Sequence, residues 1–185
     1  MTNFNVFIDE KSFGVKKAEA VAAVRSALDI FNQKILHEQC GIDDFAIVKT
    51  ANRKSSDIIV SRARRGLNRR DHERLRRLSV ELIPSLSEIT GKRLFLDMAE
   101  IYDTSSSYDK AVDDLIAEVI CRELCHFLGI DDRIGIHEFG SKESQSEFGL
   151  MLSPYNVYNF YLGKEYYLTK VEIDSLRTAI AARVA

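Results

Sequence analysis

The sequence predicts an α+β fold: one domain over residues 1–185, with a mixed sheet, a long N-terminal helix, a second helix late in the chain and a helix at the C-terminus. Three observations carry that expectation. Short β-branched or alternating runs recur at Phe4–Ile8, Phe45–Val48, Asp57–Val60 and Arg93–Asp97, the pattern of half-buried strands. Apolar residues at helical spacing fill the stretches between and after them. At 185 residues and 45% hydrophobic composition the chain can build one substantial core and is too short to expect two.

Each element has its own local reason. Phe4, Val6 and Ile8 alternate with Asn3, Asn5 and Phe7, so the chain opens with a strand that turns near Gly14. Val21, Val24, Leu28, Phe31, Ile35 and Leu36 then fall on one face of a helix from about Lys16 to Gln39, and Gly41 ends it. The two β-branched runs that follow read as strands. A basic helix is expected from Arg69 to about Ile83, stopped by Pro84. After the strand at Arg93–Asp97, the serine-rich stretch Thr104–Ser107 reads as a turn leading into a helix from about Tyr108 to Leu128. The last helix is expected from about Lys170 to Arg183. Thr169 is placed to cap it, and Glu172 three residues on completes a capping box.

Composition gives no global bias toward a class of partner, so any such preference has to be local. The net charge of −2 gives no global preference for nucleic acid or membrane. No stretch reaches the apolar length of a membrane span, and the first residues lack a basic segment followed by an apolar run. The expectation is a soluble cytoplasmic protein, or a secreted one if a leader was removed. Cys40, Cys121 and Cys125 are odd in number, and the last two are spaced C-x-x-x-C, so reduced and buried thiols are expected rather than a disulfide framework.

The second half of the chain carries the chemistry. At about 100° per residue, Val112, Leu115, Ile116, Val119, Ile120, Glu123, His126 and Phe127 share one arc of the helix, with Arg122 on its border. A carboxyl and an imidazole are thus set into an apolar face, where they cost several kcal/mol unless paired or coordinating. The run Arg122-Glu123-Leu124-Cys125-His126-Phe127-Leu128-Gly129-Ile130-Asp131-Asp132 resembles the motif H-E-x-x-H-x-x-G-x-x-H of the metzincin zinc peptidases. The resemblance puts Glu123 at the general base, His126 and Asp132 at metal ligands and Gly129 at the turn, and Met151 within Phe148–Tyr155 resembles the Met-turn. It extends over nearly the whole chain, because the expected order of elements, with an S-D-I-I-V strand, is that of a small metzincin catalytic domain.

One position departs from the motif. Arg122 stands where the first ligand belongs, and a guanidinium has no lone pair to give a cation. In an active member Glu123 would take a proton from a metal-bound water while three ligands leave one position open. Here His126 and Asp132 supply two, and a third would have to come from His137 or from the Cys125 thiolate. The alternative is that Arg122 brings the positive charge itself, pairing with Asp132 or Glu123, or that it reaches past the apolar arc to solvent. On the built-in-charge reading the expected cofactor is none; on the catalytic reading it is zinc.

The other marked feature is the basic run Arg62–Arg77, with Arg69, Arg70, Arg74 and Arg77 expected to form an exposed positive patch. It suits an acidic protein or peptide surface. Phosphates are the other class such a charge could meet, but the run contains no aromatic residue for base stacking, which disfavours single-stranded nucleic acid. A solvated helix face with Leu75, Leu78 and Leu82 packed inward is the plain structural alternative. The functional expectation is a degenerate, non-catalytic metzincin-like module that binds a protein or peptide. The alternatives are an active zinc peptidase with a non-standard ligand set and a basic-patch nucleic-acid binder.

Overall fold

The computed structural model of the protein describes residues 1–63, 87–130 and 166–184. Strand β1 is Thr2–Ile8, with Phe4, Val6 and Ile8 buried as the alternation requires. A kinked 3-10 segment, Glu10–Lys16, leads into helix α1, Lys17–Ile30. Its kink is at Gly14, whose φ of 60° suits a residue without Cβ. The helix does not stop at Ile30 but widens into a π-helical stretch, Phe31–Gln39, closed by a bond from the Cys40 N–H to the Ile35 carbonyl at 3.0 Å. Gly41, at φ 62°, then turns the chain as expected.

Strands β2 (Phe45–Lys49), β3 (Ile58–Arg62), β4 (Ser87–Thr90) and β5 (Arg93–Leu96) complete a sheet in the order β2-β1-β3-β5-β4. All neighbouring pairs are parallel except β4 with β5, so the sheet is mixed. The register aligns Val6 with Ile58, Ile8 with Val60 and Val60 with Leu94, which puts these side chains on one face. Helix α2 is Met98–Tyr108, helix α3 is Val112–Phe127 and helix α4 is Lys170–Val184. Buried residues of β1, β3 and β5 join α1, α3 and α4 in one continuous apolar cluster, and α1 packs directly on α3. The fold is thus mixed α and β, as the sequence predicts.

Three local expectations are corrected. The serine-rich stretch Thr104–Ser107 is helical, not a turn. Asp97 caps that helix by accepting from the Ala99 and Glu100 N–H groups, Met98 and Ile101 are buried, and Ser106 donates back to the Tyr102 carbonyl. The helix bearing the motif therefore starts at Val112, after a break at Asp109 with φ 51°. Strand β4 was not expected at all. It forms a tight hairpin with β5 through Gly91, whose φ is 59°. The basic helix expected over 69–83 lies outside the described residues.

The C-terminal helix is tied to the rest by specific polar contacts. The Thr169 N–H donates to Glu172 Oε2 at 2.7 Å, and the Glu172 N–H reaches Thr169 Oγ1 at 3.5 Å, the reciprocal pair the sequence predicts. Gln39, at the end of the π-helical stretch, donates to the Tyr166 carbonyl at 2.6 Å and accepts from the Leu168 N–H at 2.8 Å. Arg177 Nε donates to the Cys40 carbonyl at 2.7 Å. Arg183 donates to the Phe127 carbonyl at 3.0 Å and lies over the Phe4 ring.

Candidate functional site

Helix α3 is more deeply buried than a single apolar arc would make it. Besides Leu115, Ile116, Val119 and Ile120, the residues Ala117, Glu118, Cys121, Leu124 and Cys125 are all buried. The expected arc was too narrow because α3 is contacted on two sides. One side faces α1, where the Cys121 thiol lies 3.7 Å from the Ala27 carbonyl. Toward the start of the helix, buried Glu118 is paired with Lys110, as a buried carboxylate requires.

Glu123 is only 7% exposed, and its partner comes from the strand the sequence concealed. Ser87 aligns with Leu96, so its side chain shares the helix-covered face of the sheet. From there Ser87 Oγ donates to Glu123 Oε1 at 2.7 Å. The first residue of β4 thus holds the carboxyl of the motif helix.

His126 is half-buried one turn further on, and its Nδ1 faces the Ile130 carbonyl at 2.8 Å. A carbonyl only accepts, so Nδ1 carries a proton and a neutral ring bears its lone pair on Nε2. The carbonyl is brought there by the helix end: Gly129, at φ 96°, lets its N–H reach the His126 carbonyl at 2.9 Å while the Ile130 N–H reaches the Cys125 carbonyl at 3.0 Å. Arg183 from α4 donates to the carbonyl of Phe127, next to the histidine. The turn at Gly129 fixes the tautomer of His126.

Arg122 is half-buried and lies close enough to Cys125 for its charge to oppose the upward push on that thiol. The push itself comes first from burial, then from the nearby Glu172, Cys40 and Glu123. Cys125 is fully enclosed and held protonated, so it is a poor source of the thiolate that a substitute metal ligand would need. Cys121 and Cys40 are likewise raised, chiefly by burial, and all three cysteines are free and buried, as the sequence predicts. Asp132, Met151, His137 and the arginines Arg69, Arg70, Arg74 and Arg77 lie outside the described residues.

The structure therefore places Glu123, Arg122 and His126 on one helix and adds Ser87, which sequence reasoning missed. The sequence does carry a signal for it: Thr90-Gly91-Lys92 is a hairpin turn, and a strand before it was to be expected. Among the described residues no three His, Cys, Asp or Glu side chains are grouped to hold a metal ion. No helix among them is long and apolar enough to cross a membrane. A scan against protein-family models finds none that matches this chain, and a search of curated proteins finds no match.

Proposed function

We propose that this chain is a metzincin-like module whose site is used for holding a protein or peptide partner rather than for hydrolysis. The observation that carries the reading is the bond from Ser87 Oγ to Glu123 Oε1 at 2.7 Å, made to a carboxyl that is itself buried. A general base has to offer its carboxylate to a water at the reacting centre. Here one oxygen already accepts from a fixed hydroxyl of the sheet. The resemblance adds Arg122 at the position of the first ligand, where its charge opposes a cation nearby. The partner's class follows from the arginine-rich sequence between Arg62 and Arg77, whose charge suits an acidic peptide or protein surface.

A second reading, a metallopeptidase with an unorthodox ligand set, is favoured by one observation. His126 presents Nδ1–H to a backbone carbonyl, the arrangement that orients a metal-bound histidine. Two measurements on the same preparation separate the readings. Elemental analysis of protein purified without chelators is expected to find no stoichiometric zinc, with no peptide hydrolysis, while a labelled polyglutamate peptide binds with an affinity that falls as salt rises. One zinc per chain, lost on His126→Ala, would overturn the proposal in favour of the peptidase.

A further inference from the structure

Lys17, Arg25 and Lys49 belong to two different elements of the fold and converge on one carboxylate. That carboxylate is Glu10, just after β1, where the backbone is anchored. The Asp9 N–H donates to the Val60 carbonyl at 2.8 Å, and the Ser12 N–H and hydroxyl both donate to the Asp9 carbonyl. Lys49 ends β2 and is held level with Val6, whose carbonyl accepts from the Thr50 N–H at 2.9 Å. Lys17 opens α1, and Arg25 lies further along the same helix. Lys49 Nζ and the Arg25 guanidinium approach Glu10 Oε1 at 3.1 and 3.8 Å, and Lys17 Nζ approaches Oε2 at 3.1 Å. The three cations are 33–55% exposed, so the cluster meets solvent. No other carboxylate among the described residues pairs with them, and Glu19 in the first turn of α1 is engaged by Lys16 at 3.2 Å.

We propose that Lys17, Arg25 and Lys49 form a binding site for a phosphoryl group, and that the Glu10 carboxylate is its built-in stand-in. Exposed ion pairs add little to stability, so the fold gains little by bringing three cations to one point. One carboxylate offsets only one of the three charges. It also has only two oxygens, and Lys49 and Arg25 must share Oε1. A phosphoryl group carries close to two negative charges at neutral pH and has three terminal oxygens, one for each cation. The carboxylate marks the position, because every donor already lies within 3.8 Å of one of its oxygens. The site favours negative charge: bonds from Lys17 and then Lys49 hold the Glu10 carboxyl below its ordinary value. Glu10 vacates the position by rotating its side chain, which leaves the strand and the helix that carry the cations in place. None of the four residues belongs to the metzincin-like motif, so the inference stands apart from that reading.

Titration with inorganic phosphate at neutral pH and constant ionic strength, followed by NMR shifts, tests the site; the same spectra report that each variant is folded. Glu10→Gln keeps the shape of the stand-in and removes its charge. It is expected to tighten phosphate binding by roughly tenfold, and adding Lys49→Met or Arg25→Met to it is expected to lose about as much. The shifts are expected to centre on positions 10, 17, 25 and 49. Phosphoserine, titrated in the same way, separates two sources of the group. Binding of both probes assigns the site to phosphoryl groups carried on larger molecules, binding of phosphate alone assigns it to the free anion, and either supports the proposal. An affinity unchanged by Glu10→Gln, or one that survives both cation variants, would overturn it. The arginine-rich run between Arg62 and Arg77 is intact in every variant, and such a result would place phosphate there instead. Absence of saturable binding in the Glu10→Gln protein would overturn it as well.

Discussion

At the scale of single residues, the pair Ser87 and Glu123 has the clearest energetic consequence. Ser87→Ala leaves a buried carboxyl without its hydroxyl donor, and the expected loss is about 1–3 kcal/mol in urea unfolding. A double-mutant cycle with Glu123→Gln checks that the loss belongs to this contact, since Ser87→Ala should cost less once the carboxylate is gone. Arg122→His restores an imidazole donor where the resemblance places the first ligand. Zinc affinity by titration calorimetry is then expected to rise by roughly one or more orders of magnitude, and an unchanged affinity would argue that the helix face does not lead to a metal position. Glu123 and His126 could be found from the sequence because polar residues on an apolar helix arc are conspicuous. Ser87 could not be chosen from its type, since serine is common in turns and only the hairpin register aims it at the helix.

At the scale of elements, the capping chemistry sets what each helix can lose. Thr169→Ala removes the hydroxyl from the reciprocal pair with Glu172, and a stability loss of about 1 kcal/mol is expected by thermal or urea melting. Asp97→Ala is expected to cost about as much through α2, because Asp97 accepts from two N–H groups at that helix start. Element types were legible where periodicity was long: β1, α1, α3 and α4 follow their hydrophobic patterns to within a few residues. Helix α2 is not legible because its last turns are serine-rich, and burial of Met98 and Ile101 outweighs the weak helix preference of those serines. The π-helical stretch has no periodic signature that separates it from the α-helix it continues. Its register is fixed by what its amides reach, Ile47 through Asn32 and the Tyr166–Leu168 segment through Gln39.

At the scale of the whole molecule, the buried thiols couple stability to pH. Burial raises Cys121 well above the ordinary thiol value of 9.0, so the folded chain keeps a proton that the unfolded chain releases above that pH. The stabilisation is complete below pH 9 and is lost as pH rises further, by up to about 1.4 kcal/mol per pH unit for this thiol. Urea midpoints measured on either side of pH 9 should fall on the alkaline side, and Cys121→Ala should flatten the decline. A midpoint that does not respond to pH there would show that the thiol is not enclosed as described.

The contacts of Gln39 and Cys40 also bear on how the chain is made. Their partners, Tyr166, Leu168 and Arg177, lie more than a hundred residues further along the sequence. During synthesis, at roughly 5–20 residues per second, the first strand and helix leave the ribosome many seconds before the helix that closes over them exists. In that interval the amide of Gln39 keeps only its local bond to the Lys34 carbonyl and lacks Tyr166 and Leu168, the carbonyl of Cys40 lacks Arg177, and the thiols destined for the interior are open to oxidants. A nascent chain stalled before residue 166 should therefore be modified at Cys40 by a maleimide that leaves the finished protein untouched.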